Sequence, residues 1–250
     1  MSGASTTPAG QGNPSDHPHG IDHEHSDVTG GWLRPAVFGA MDGLVSNVAL
    51  IAGVAGGTHG GSKAVVLAGL AGLSAGAFSM AVGEYTSVAS QSEAAALEIA
   101  KERTEIETNN AAETIELAGM YTKKGVDRDL ALEMARQIHQ NVDTAVSVHA
   151  KEEFGIDPDD LASPMVAAVS SFVAFAVGAL VPLLPYLLGG AVLWPALALT
   201  FLALFVCGAV VTRLTVRPWW YGGLRQMLLG AAAAGLTFAI GSLVGASGLG

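Results

Sequence analysis

The chain has 250 residues, of which 50% are hydrophobic, only 14% charged and 32 are glycine, with a mean hydropathy of +0.44. Soluble domains carry about 25% charged residues, so this composition excludes an ordinary soluble enzyme and indicates a multi-pass membrane protein. The net charge of −10 is local: sixteen of the 22 acids lie between Glu93 and Asp160 and none follows Asp160, and with no basic patch to neutralise phosphates the chain has no nucleic-acid partner.

Residues 1–30 hold Gly, Pro, Ser, Thr, His and Asp with no apolar run. They lack the apolar centre of a signal peptide and read as a disordered tail. Four histidines, His17, His19, His23 and His25, lie there among acids. Such tracts bind metals in some proteins and are incidental in others.

Five apolar spans follow, each long enough to cross about 30 Å of hydrocarbon. They run roughly from Arg34 to Gly57, Lys63 to Ser90, Pro164 to Leu188, Ala191 to Thr212 and Leu224 to Val244. Pro182 and Pro185 are expected to kink or end the third. The sole cysteine, Cys207, sits inside an apolar span, so there is neither a disulfide framework nor a thiolate metal site. With the N-terminus in the cytoplasm, eleven of the twelve Lys and Arg residues fall inside and only Lys63 falls outside. The orientation rule therefore places the polar insert in the cytoplasm and the C-terminus on the far side.

The fold class expected is an all-α membrane protein with five transmembrane helices. A three-helix cytoplasmic insert separates the second helix from the third. The divisions are tail 1–30, membrane helices 31–90, acidic insert 91–160 and membrane helices 161–250. Within the insert, Ser92 to Lys124 reads as a helix that continues the second span and ends at Gly125. Asp127 to Gln140 is the next, with Asp127 as its cap. Asp143 to Phe154 is the third, stopped by Gly155 and Pro158.

Two sets of acids point to chemistry. Asp42 lies inside the first span, where a carboxylate costs about 3 kcal/mol on insertion scales and usually marks a functional path. Ser46 and Asn47, about one turn on, are its nearest polar neighbours. Met80 in the second span lies at nearly the same depth, counting about 1.5 Å per residue from each helix end. Glu84 is one turn closer to the insert and is a candidate relay. The second set is a stripe on the first insert helix. Glu98, Glu102, Glu105, Glu113 and Glu116 project onto one narrow arc, with Lys101 and Arg103 off it. Carboxylates at i,i+3 are close enough to share a divalent cation, and Fe²⁺ and Mn²⁺ accept carboxylate oxygen. A solvated polar face would also produce a charged stripe, although such a face is usually interleaved with lysine. His149, Glu152 and Glu153 on the third insert helix are placed to close a metal shell. His59 and His139 have no evident partner.

Two runs carry a family resemblance, Gly39-Ala40-Met41-Asp42-Gly43-Leu44-Val45-Ser46-Asn47 and Gly76-Ala77-Phe78-Ser79-Met80-Ala81-Val82-Gly83-Glu84-Tyr85. With Glu102/Glu105, Glu113/Glu116 and Glu153-Phe154-Gly155-Ile156, they make residues 34 to about 246 resemble the vacuolar iron transporter family. The resemblance implies a homodimer with an ion path between protomers, lined by Asp42 and Met80. It implies proton-coupled export of Fe²⁺, and of Mn²⁺, captured by the cytoplasmic glutamates. The partners are then metal ions, protons and the bilayer. No cofactor is permanently bound, and the ion at the carboxylates is substrate. Where plant-type members carry acids, this chain has Gly72 in the second span and Trp32, Leu33 and Arg34 before the first. His149 and Ala150 replace a methionine and an acid. The pattern is similar to the bacterial branch, which implies a bacterial plasma membrane. The competing readings are a membrane-anchored di-iron carboxylate oxidase and a metal sensor or storage protein without flux. The oxidase would need Glu-x-x-His motifs, which the insert lacks.

Overall fold

The computed structural model describes residues 31–58, 62–190, 192–212 and 217–247. The tail histidines and His59 lie outside the described residues. Among the described residues every regular element is a helix: α1 (Leu33–Gly57), α2 (Ser62–Lys123), α3 (Arg128–Ile138), α4 (Val142–Glu153), α5 (Pro164–Leu187), α6 (Leu193–Thr212) and α7 (Trp219–Ala246). Five of these, α1, α2, α5, α6 and α7, are long and apolar enough to cross a membrane.

The ends follow local chemistry. Gly125, at φ +97°, ends α2, and the Val126 N–H returns to the Tyr121 carbonyl. Asp127 caps α3 by accepting from the Asp129 and Leu130 amides. Asn141 caps α4 by accepting from Thr144, one position ahead of the expected start. Gly155, at φ +66°, closes α4, with the Ile156 N–H donating to Ala150. Pro182 and Pro185 do not end α5; both lie inside it, and the chain leaves the helix at Leu188. The last span begins five residues ahead of the expected Leu224, at Trp219, because Pro218 is extended (ψ 140°) and sets the helix start.

The membrane helices meet through glycines. An added Cβ on Gly43 would strike the Phe175 carbonyl, and one on Gly178 would strike that of Ala40. Gly53 and Gly241 stand in the same relation between α1 and α7. Without side chains at these points the backbones approach closely, as small residues permit in lipid. α1 is thereby enclosed by α5 and α7, and Val48, Ile51 and Ala52 are buried.

α2 departs from the expected single rod. Asn109 has non-helical angles (φ −131°, ψ 40°), so α2 is two helices joined end to end. The proximal arm carries Ile106 into a core with Ala145 and Val146 of α4. The distal arm carries Leu117 and Ala118 into a core with Ala131 and Ala135 of α3. The acidic region is thus built from two arms of α2 plus α3 and α4, rather than from three helices. Ser92 in α2 donates to the Ala162 carbonyl, 2.9 Å away, just before α5, so the chain leaves and re-enters the membrane part at one place.

Candidate functional site

The break at Asn109 creates the first site. Glu102 and Glu113 are eleven residues apart, so a straight helix would hold them about 16 Å apart along its axis. Two glutamates leaning toward each other do not close that gap. In the folded chain, ligand atoms of Glu102, Glu113 and His149 lie within 4.8 Å of one another. The two arms fold toward each other, and α4 supplies the imidazole between them.

All three residues are buried; Glu102 is 3% exposed and His149 0%. His149 Nδ1 is 2.9 Å from Glu102 Oε1 and 3.1 Å from Glu153 Oε1. The contact with Glu153 is a hydrogen bond. The one with Glu102 is not, and Oε1 of Glu102 is left buried without a hydrogen-bond partner. A buried carboxylate oxygen without a donor is costly unless a cation or proton satisfies it. Burial, helped by Glu153 and opposed by His149, accordingly pushes the Glu102 carboxyl up to about 7. Burial and the neighbouring Glu116 also raise Glu113. Two buried carboxylates, an imidazole nitrogen and the adjacent Glu153 form a donor set suited to a divalent transition-metal ion.

The remaining acids divide. Glu105 and Glu116 stay exposed but lie near enough to act on the buried pair. Glu98 turns away and pairs with Lys101 at 2.7 Å. Glu152 points from the cluster and pairs with Lys124. The stripe therefore converges in part: Glu102 and Glu113 enter the site, Glu105 and Glu116 flank it, and Glu98 does not reach it.

The second site lies between α1 and α2. Asp42, Ser46, Asn47, Gly72, Gly76, Ser79, Met80 and Phe175 line a pocket of about 210 Å³. At roughly 30 Å³ per water it has room for an ion and part of its hydration shell. Asp42 and Met80 do share it. The Ser46 hydroxyl donates to the Asp42 backbone carbonyl at 2.6 Å, not to its carboxylate. Asn47 Nδ2 donates to the Ala179 carbonyl at 2.5 Å, and its Oδ1 is buried without a hydrogen-bond partner. Gly72 brings α2 against Asn47: a Cβ there would lie 3.1 Å from that oxygen. Glu84 is not in the pocket. It lies 3.4 Å from Arg34 across the mouth of the helix pair.

Phe175 in this pocket is not foreseeable from sequence, since its place depends on how α5 crosses α1. The role of His139 was equally hidden, because its neighbour is tertiary: its Nε2 lies 3.0 Å from Nε2 of His149.

Residues 33–242, nearly the whole described chain, match the VIT family. The chain belongs to the VIT family. Relatives agree along most of its length. A "Vacuolar iron transporter" of Acanthamoeba castellanii is 37% identical over 233 residues, covering 90% of this chain and 83% of the relative. "Vacuolar iron transporter homolog 5" of Oryza sativa subsp. japonica is 36% identical over 227 residues, covering 87% and 83%. "Vacuolar iron transporter 1" of Arabidopsis thaliana is 27% identical over 229 residues, covering 90% and 91%. Both sites lie within the part of the chain that matches the VIT family.

Proposed function

We propose that this VIT-family protein is a divalent transition-metal/proton antiporter that moves Fe²⁺, and Mn²⁺ with it, out of the cytosol. The observation that carries the reading is the convergence of buried Glu102, Glu113 and His149 within 4.8 Å. Acids gathered in this way repel one another until a cation joins them. The names of the relatives, iron transporters, favour Fe²⁺ as that cation.

The cluster is the capture site, with Glu153 beside it and Glu105 and Glu116 drawing ions toward it. The Lys and Arg distribution puts it on the cytoplasmic side. The proximal arm of α2 leads from Glu102 back past Glu84 to Met80 and the Asp42 pocket. There the Met80 thioether favours transition metals over Mg²⁺ and Ca²⁺. Protons return as Asp42 is vacated. Near the pocket, α2 presents Phe78 and Val82, 64% and 65% exposed. A second copy packed on that face would make a homodimer and wall the path. In a bacterial plasma membrane the result is efflux.

The test is metal flux into proteoliposomes driven by a pH gradient. Wild-type protein carries Fe²⁺ and Mn²⁺ against the proton flow. Asp42→Ala abolishes flux while metal binding at the insert persists. Wild-type flux in Asp42→Ala would refute the path, and flux indifferent to the pH gradient would refute the coupling.

A further inference from the structure

His139 ends α3 as its C-cap residue and is buried. Its ring stands edge-on to that of His149, with centroids 5.1 Å apart and planes at 82°. The two Nε2 atoms are 3.0 Å apart. One must donate a proton and the other accept it; while the Nδ1–H of His149 donates to Glu153, His139 is the donor of the pair. On the opposite edge of the His149 ring, Nδ1 faces Glu102 and Glu153. His139 thus stands behind His149, on the side away from the acids, and is not itself a ligand.

A neutral imidazole carries one proton and one lone pair. An ion held by Glu102, Glu113 and His149 needs the lone pair on the nitrogen that faces the acids, Nδ1. The proton must then sit on Nε2. His149 is fully buried, so water does not accept that proton, and the atom placed to do so is Nε2 of His139. We propose that His139 is a positioning residue of the capture site: when an ion displaces the Nδ1 proton of His149, both rings switch tautomer, His139 accepts the Nε2–H of His149 while carrying its own proton on Nδ1, which has no other hydrogen-bond partner, and the Nδ1 lone pair of His149 is held toward Glu102 and Glu113. Metal-bound histidines nearly always have such a partner on the other nitrogen, and losing it typically weakens metal affinity 10–100-fold. The inference rests on the reading of His149 as an ion ligand.

The test is Co²⁺ titration of the full-length protein in detergent micelles, followed by calorimetry. His139→Phe keeps a ring but offers no acceptor, and Co²⁺ affinity falls about 10–100-fold. His139→Gln offers an acceptor oxygen and restores most of that affinity. The thermal midpoints of the two ion-free variants stay together, which separates positioning from a merely structural role. Wild-type affinity in His139→Phe, with affinity lost in His149→Ala, overturns the inference and leaves the ligand reading standing. Wild-type affinity in His149→Ala overturns the ligand reading itself. A second readout needs no variant to fold. Proton NMR of the Co²⁺-loaded wild type should show one slowly exchanging, hyperfine-shifted imidazole N–H, and its absence overturns the inference.

Discussion

Glu102 of α2 and His149 of α4 meet at 2.9 Å in a buried position, and the Glu102 oxygen that makes this contact has no hydrogen bond. The carboxyl is pushed up to about 7 by burial and by Glu153. A cation and a proton therefore compete for it near neutral pH. Apparent Mn²⁺ affinity of the full-length protein should rise roughly tenfold per pH unit up to about pH 7 and flatten above it. Glu102→Gln, which mimics the protonated acid, should bind weakly throughout and lose this slope. Isothermal titration across pH 5.5–8.5 checks both, and an unchanged slope in Glu102→Gln would assign the proton to another group.

The same shift has a consequence for stability. The ordinary value for this carboxyl is 4.5 and its folded value is about 7. Between the two the folded state binds more protons than the unfolded chain, so folding stability falls as pH rises through that window. Glu113, raised in the same direction, adds to the trend, while His139, lowered by burial and by His149, opposes it below about pH 6.5 and leaves the acids alone to act above that. The ion-free acidic region should therefore melt at a lower temperature at pH 7.5 than at pH 5, and saturating Mn²⁺ should reverse the loss at pH 7.5. Thermal melts followed by circular dichroism, with and without chelator, decide it. Equal melting temperatures at both pH values would mean that the buried acids are neutralised in some other way.

Much of this arrangement was legible in the sequence, because hydrophobic runs of the required length have few other uses. The five spans and the glycine stops at Gly125 and Gly155 follow from length and from positive φ alone. The depth match between Asp42 and Met80 worked because the rise per residue is fixed by the helix. The break at Asn109 was not legible. Thr108-Asn109-Asn110 is a weak helix segment, but such residues cost only about 0.7 kcal/mol each in a helix interior. Packing of Leu117 and Ala118 against α3 decides the bend, and packing is not local. A straight-helix projection could therefore place five glutamates on one face but could not say which two would meet. His139 was unreadable for the same reason, since nothing near it in sequence announces His149.

The divided stripe gives a sharp contrast between residues of one type. Glu98 is paired with Lys101 and Glu152 with Lys124, both outside the cluster. Glu98→Gln and Glu152→Gln should leave Mn²⁺ affinity within about threefold of wild type, since exposed ion pairs contribute about 0–1 kcal/mol. Glu113→Gln removes a buried carboxylate of the proposed capture site and should weaken binding at least tenfold, the scale of 1.4 kcal/mol or more expected for a charged group at a buried site. Titration of the three variants side by side is the check. Equal losses in all three would mean that the stripe acts as a diffuse field rather than through the cluster.

Arg34 and Glu84 set a condition at the mouth of the membrane pocket. Arg34 Nη2 lies 3.4 Å from Glu84 Oε2, with the arginine side chain 74% exposed and the glutamate 11%. Glu84 sits one helical turn from Met80, so on the proposed path an ion moving along α2 passes it. While Arg34 neutralises the carboxylate, the acid attracts a passing cation less. Arg34→Gln should therefore lower the metal concentration giving half-maximal flux, by up to about fivefold, the equivalent of the roughly 1 kcal/mol such a pair holds. Glu84→Gln should raise it, and the double variant should behave like Glu84→Gln, since Arg34 acts only through that acid. Melting temperatures should hardly move in any of the three. Proteoliposome flux over a series of Mn²⁺ concentrations distinguishes the outcomes. If Arg34→Gln and Glu84→Gln both match wild type, ions reach Asp42 without passing Glu84, and the link between the capture cluster and the pocket must run along another face of α2.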